Sequence, residues 1–259
     1  MAIVRRVLVA LPVLPVAGGV FLATQVLRAA HRSDLPSFPN QDPSGVFGDP
    51  GAPPLRVVAL GDSSITAPGV MELDNTWIRR VVRHHAVDHH VELISLAVGG
   101  SKARDVIEGQ LTEAVRLRPD VAVVSVGAND AMRGVSTRRF RRDLVEIVDR
   151  LEPVTGAIVV LGVGDLGSIP RLPAVLRPYL TNRAAVFDHI ARDVTLSRPR
   201  AVKVYTGGRI STAFHEDTSL FADDLFHAGD TGHAVFAEEA QPAVDAAIAA
   251  AVVRRSRSG

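Results

Sequence analysis

Val57-Val58-Ala59-Leu60-Gly61-Asp62-Ser63-Ser64 is an apolar run that stops abruptly in Gly-Asp-Ser-Ser. A short apolar run rich in valine and bounded by a turn signal predicts a strand buried on both faces. Such strands belong to parallel sheets covered by helices. Four further runs have the same character: Val91–Ala97, Val121–Val126, Ala157–Val163 and Ala201–Tyr205. Between them lie segments with apolar residues at helical spacing, over Asn75–Ala86, Ala103–Leu117, Thr137–Leu151 and about Leu172 to Leu196; Asp230–Val252 closes the series. Strands alternating with helices predict an α/β fold, a three-layer α/β/α sandwich with a mainly parallel five-stranded sheet.

The ends of the chain read differently from its middle. From Val7 to Leu27 there is no charged residue, while Arg5, Arg6, Arg28 and Arg32 flank the stretch. As a helix it spans ~30 Å, the thickness of a bilayer core. Residues 1–32 are therefore expected to be a membrane anchor. A signal segment cleaved near Ala17-Gly18-Gly19 is the competing reading, which would make the protein secreted, and a buried soluble helix is a third. On the anchor reading the folded domain is expected outside the cytoplasm, although basic residues at both ends leave the orientation open. Residues 33–54 are rich in proline, glycine and small polar residues and read as a linker. The folded domain is placed at 55–252, and the basic tail 253–259 is expected to be solvated. The net charge of +1 gives no reason to expect a nucleic-acid partner. The absence of cysteine excludes a disulfide framework, a thiolate metal site and a cysteine nucleophile.

Three strand ends carry small and polar residues: Gly61-Asp62-Ser63, Gly99-Gly100-Ser101 and Gly127-Ala128-Asn129-Asp130. The carboxyl ends of parallel strands share one edge, so these loops can converge. A serine hydroxyl, backbone N–H groups near glycine and an asparagine amide are the parts of an acyl-transfer site with an oxyanion hole. Serine needs a base. Asp224-Leu225-Phe226-His227 supplies an imidazole with a carboxylate close enough in a turn to orient it. Each of these stretches alone also reads as an ordinary turn or helix cap.

Taken together and in this order, the blocks resemble those of the SGNH (GDSL-type) hydrolases. Gly61-Asp62-Ser63-Ser64 is similar to the nucleophile block and Gly100 to the glycine block; Gly127-Ala128-Asn129-Asp130 and Asp224-Leu225-Phe226-His227 are similar to the remaining two. The resemblance covers about Leu55 to Ala240 and implies a flavodoxin-like three-layer sandwich. It implies Ser63 as nucleophile, His227 as base and Asp224 as its orienting carboxylate. The Ser63 and Gly100 N–H groups and the Asn129 amide become the oxyanion donors, with no metal and no organic cofactor. Ser64 departs from the family, which usually has leucine there, and Ala228 stands where many relatives have proline. Gly99 is an alternative to Gly100.

The expected activity is hydrolysis of a small carboxylic ester such as a lipid ester or an acetylated sugar. Acyl transfer from the same site and a catalytically silent sugar- or lipid-binding module are the alternatives. The histidines at 84, 85, 89 and 90 are read as residues at a helix end, which suit its dipole, rather than as a metal site. His189, His215 and His233 carry no motif, and Asp130 and Asp165 are read as capping or turn residues that can also line the cleft.

Overall fold

The structure, a computed structural model, describes residues 34–258 together with Thr24. Apart from Thr24, the expected anchor over Val7–Leu27 lies outside the described residues. No helix among the described residues is long and apolar enough to cross a membrane.

The sheet has six strands: β1 (Gly45–Phe47), β2 (Pro54–Gly61), β3 (His90–Ser95), β4 (Val121–Ser125), β5 (Ala157–Leu161) and β6 (Ala201–Val204). Their order is β1-β3-β2-β4-β5-β6. The five strands expected from sequence are all present and all parallel. The sixth, β1, pairs antiparallel with β3, Val46 opposite Glu92. It lies within 33–54, so that stretch is not only a linker. Its Ser44 hydroxyl accepts from Ser95 N–H at 2.9 Å and Arg79 donates to Pro43 O at 2.8 Å, which ties it to the domain.

Alternation along the strands divides the core. Val58 and Leu60 face one side with Ala122, Val124, Ile158 and Val160. Val57 and Ala59 face the other with Val121, Val123 and Val159. Helices α3 (Ala103–Gly109), α4 (Leu111–Leu117), α6 (Thr137–Leu151) and α7 (Arg177–Leu196) cover the first face. Helices α2 (Trp77–His84) and α9 (Asp230–Ser258) cover the second. Both faces being dry explains why strand sequences such as Ala157-Ile158-Val159-Val160-Leu161 carry no polar residue.

Two expectations about helices need correction. Ala103–Leu117 is two helices rather than one, broken at Gln110. The buried Gln110 side chain accepts from Gly61 N–H at 2.8 Å and donates to Gly61 O at 3.0 Å. It thus satisfies the last peptide of β2 as a neighbouring strand would, which matters because a buried unpaired peptide is costly. The basic tail is not free either: α9 runs to Ser258, and Arg255 pairs with Asp120 and donates to Pro54 O at the amino edge of the sheet. Short helices α1 (Ser63–Thr66), α5 (Ala128–Met132) and α8 (Arg209–Glu216) were not expected. The first two begin at the carboxyl ends of β2 and β4.

From β2 the chain moves to β3 on one side and then crosses to β4 on the other. The reversal opens a crevice between the carboxyl ends of β2 and β4, the position where open α/β sheets bind ligands.

Candidate active site

Ser63 is the first residue of α1, delivered by β2 through Gly61 and Asp62. Gly61 has φ +143°, and a β-carbon there would lie 2.1 Å from Ser125 O, so only glycine permits β2 and β4 to approach this closely. Asp62 caps α1, its Oδ1 accepting from Ser64 N–H at 3.0 Å. Its Oδ2 accepts from the Asn129 amide at 3.1 Å. One buried carboxylate thereby sets the Ser63-Ser64 turn and holds the asparagine across the crevice. Burial pushes the Asp62 carboxyl up from its ordinary value, against the Ser64 and Asn129 donors that favour its charge.

Asp224 and His227 sit in a tight turn closed by an antiparallel bridge between Phe221 and Ala228. Leu225 takes φ +57° to make it. Asp224 Oδ1 accepts from the N–H groups of Phe226 at 2.9 Å and His227 at 3.0 Å, and Oδ2 meets His227 Nδ1 at 2.7 Å. Burial alone would raise the Asp224 carboxyl, but these three donors outweigh it and hold it below the ordinary carboxylate range. The carboxylate is therefore charged and fixed, and it holds the imidazole with Nε2 directed away from the pair.

Ser63, Asn129 and His227 all line one cavity of about 160 Å³. Asp224 stands behind His227, buried. Gly100 occupies the loop after β3 with φ +80°, beside the Arg133 guanidinium, and is not among the residues that line the cavity. The structure thus brings together all the expected site residues except Gly100. Much of the remaining wall is apolar, with Val163, Leu166, Ile210, Phe214, Phe221 and Phe236 in it, beside polar residues such as Ser64, Ser125, Asp165 and His233.

Other residues at and around the site support it. The Ser64 hydroxyl pairs with that of Ser125, both in the cavity wall. Trp77 Nε1 donates to Ser64 O at 2.8 Å, which anchors α1 against the second helical layer. Asp165 accepts from Gly167 N–H and the Thr181 hydroxyl and meets His215 Nε2 at 2.6 Å. Despite its burial, these contacts hold its carboxyl below the ordinary value. Asp130 accepts from Ala103 N–H at 3.0 Å, so it caps α3 across space rather than its own helix, and burial raises its carboxyl to about 6. Among the histidines at 84–90, His85 pairs with Asp245 at 2.8 Å; no group of three metal-ligating side chains occurs among the described residues.

His233 is also a cavity residue, buried to 2% exposure. Its Nδ1 accepts from Trp77 N–H at 3.1 Å and so caps α2 from another helix. Burial lowers its pKa to about 3, far beneath the 6.5 of an exposed histidine. The unfolded chain therefore takes up a proton at this position below pH 6.5 that the folded chain refuses until about pH 3. The His233 contribution is present above pH 6.5 and is lost as pH falls, by about 3 kcal/mol at pH 4. Urea unfolding of His233→Asn, measured from pH 7 to pH 4, is expected to show a shallower loss of stability than wild type; parallel curves would contradict it.

Comparison with known proteins bears on the family and the fold. Residues 59–235 match the model of the GDSL-like lipase/acylhydrolase family. A GDSL-like esterase of Mycobacterium tuberculosis is 28% identical over 193 residues, 71% of this chain and 60% of that protein, so the chain spans about three-fifths of its relative's length. Among solved structures, a catalytic mutant of an acetylxylan esterase from Geobacillus stearothermophilus superposes with a TM-score of 0.61 at 14% identity, covering 74% of this chain and 95% of that one. TesA gives 0.60 at 14% identity, covering 74% and 99%. LAE5, an α/β hydrolase from the metagenome of Lake Arreo, Spain, gives 0.57 at 19% identity, covering 76% and 97%. These structures share the fold.

Proposed function

This chain belongs to the GDSL-like lipase/acylhydrolase family, and on that premise we propose that it hydrolyses carboxylic esters through an acyl-enzyme on Ser63. The observation that carries the reading is the Asp224–His227 pair set at the cavity that Ser63 and Asn129 line. In this reading His227 Nε2 takes the proton of Ser63 as its oxygen attacks the ester carbonyl. The Nδ1–H stays hydrogen-bonded to Asp224, whose charge stabilises the imidazolium. An asparagine amide has two N–H donors, and one of them goes to Asp62, so the other serves the developing oxyanion. Ser63 N–H, at the start of α1, is a second donor. His227 then returns its proton to the leaving alcohol and activates water for deacylation.

The cavity favours one substrate class. A volume of about 160 Å³ whose wall is largely phenylalanine and aliphatic side chains matches a six-carbon group, since apolar cavities of about 150 Å³ hold benzene. We place the acyl chain there. Each methylene removed from water contributes about 0.8 kcal/mol, so kcat/KM for nitrophenyl hexanoate is expected to exceed that for the acetate at least about tenfold. Release of nitrophenol across chain lengths from two to twelve carbons checks this. A maximum at acetate would contradict the acyl placement, and no turnover of any ester by folded protein would contradict the hydrolase reading.

A further inference from the structure

Residues 38–43 lie against α1 before the chain enters β1, and they stand outside the span 59–235 that matches the family model. Gln41 N–H donates to Thr66 O at 2.8 Å. The Gln41 side-chain amide donates to Ala67 O at 3.2 Å and to Val70 O. Beside it, the Thr66 hydroxyl donates to Asn40 Oδ1 at 2.6 Å. Helix α1 has only four residues, and a helix end leaves its last carbonyls without intrahelical partners. Ala67 and Val70 are buried, at 1% and 4% exposure, so the strap rather than bulk water supplies these donors.

The loop that Gln41 holds packs against the His227 turn. Gly69 has φ +93°, and a β-carbon there would lie 2.5 Å from the Ala222 β-carbon and 3.3 Å from the Phe38 ring. Ala222 N–H in turn donates to His227 O at 2.8 Å. Just beyond, Met71 N–H donates to Asp230 Oδ2 at 3.2 Å and the Asn75 amide to Asp230 Oδ1 at 2.7 Å. The segment from Ala67 to Met71 therefore joins the two halves of the site. It continues α1 from Ser63, and it touches both the histidine turn and the start of α9.

We infer that Gln41 is a positioning residue of the active site, which sets the placement of Ser63 relative to His227 by holding the Ala67–Val70 loop. The inference rests on the hydrolase reading above for the role of that pair. Asp62 fixes the amino end of α1 and Trp77 holds Ser64 O; Gln41 fixes the far end. Gln41 does not line the cavity, so it leaves the hold on the acyl chain to other residues. Its effect falls on the step in which His227 takes the Ser63 proton, where a displacement of ~1 Å costs on the order of a hundredfold.

The test uses the full-length protein with Gln41→Met, which keeps the side chain's length and removes its two hydrogen bonds. For nitrophenyl hexanoate, kcat is expected to fall at least about tenfold while KM stays within about twofold. Gln41→Lys again brings N–H donors to the two carbonyls and is expected to regain most of the loss. A second readout needs no turnover. The chain has no cysteine, so Ser63→Cys carries a single thiol, and an imidazole beside a thiol raises its thiolate fraction. Alkylation of Ser63→Cys by iodoacetamide is expected to slow at least about fivefold when either His227→Ala or Gln41→Met is added. Should Gln41→Met not fold, Thr66→Val removes only the bond to Asn40 and is held to the same two measurements, with a loss of at least about threefold in each. The inference is overturned if the folded variant keeps wild-type kcat, loses only in KM, or leaves alkylation at the Ser63→Cys rate. Wild type that turns over no ester, with alkylation still dependent on Gln41 and His227, refutes the hydrolase reading and keeps the positioning role.

Discussion

Ser63→Ala is expected to lower kcat/KM for nitrophenyl hexanoate by at least about a thousandfold while leaving the fold unchanged. Removing one oxygen at the start of α1 takes away the nucleophile but not the cap, because Asp62 still accepts from Ser64 N–H. Far-ultraviolet circular dichroism and the unfolding midpoint should therefore match wild type. The loss should appear almost wholly in kcat, since the apolar wall that holds the acyl chain is intact. Ser64 is the only other serine of the turn, and its hydroxyl is engaged with that of Ser125 while its carbonyl holds Trp77. Ser64→Ala is accordingly expected to cost far less than Ser63→Ala. The reverse order would assign the nucleophile to the wrong side of the turn.

Asp224→Asn is expected to lower kcat by roughly 10³- to 10⁴-fold. The asparagine oxygen can keep accepting from Phe226 and His227 N–H, which preserves the turn. Its amide nitrogen then faces His227 Nδ1 as a donor. The imidazole responds by carrying its proton on Nε2, where it can no longer take one from serine. Because the wild-type carboxyl is held below the ordinary range, its charge persists well into acid. The wild-type pH profile should therefore show no limb from Asp224 above pH 5. Stopped assays from pH 5 to 9, with unfolding curves as the control for structure, check both statements. A variant within tenfold of wild type would show that the carboxylate does not orient His227.

How far these residues were legible in the sequence depended on what their neighbours had to do. The five parallel strands were readable because a strand dry on both faces admits only apolar residues, as in Val121-Ala122-Val123-Val124. Strand β1 was not, because three residues at an edge need no such pattern and are flanked by glycine and proline. The break in Ala103–Leu117 depends on Gln110 reaching Gly61, a contact 49 residues away in sequence. The Arg255 contact with Asp120 is equally non-local, so a charged helix end looked like a solvated tail.

In the site, Ser63, Asn129, Asp224 and His227 stand out because three strand-end loops and one turn each repeat a short pattern. Their supports do not. Asp62 does two jobs at once, capping α1 and holding Asn129, and only the first leaves a trace in sequence, as an acidic residue before a helix. His233 looks like any histidine inside a helix, and its role as the cap of α2 exists only once α9 packs there. Gln41 sits in a stretch with the composition of a linker, and its partners Ala67 and Val70 are 26 and 29 residues away.

The most direct measurement is the mass of the intact protein after incubation with a nitrophenyl alkylphosphonate, followed by mapping of the modified peptide. An acyl-enzyme on Ser63 predicts one phosphonyl group per chain, located on Ser63, with esterase activity lost in proportion and no adduct in Ser63→Ala. An adduct on Ser64, or full activity in protein that carries the adduct on Ser63, would contradict the account.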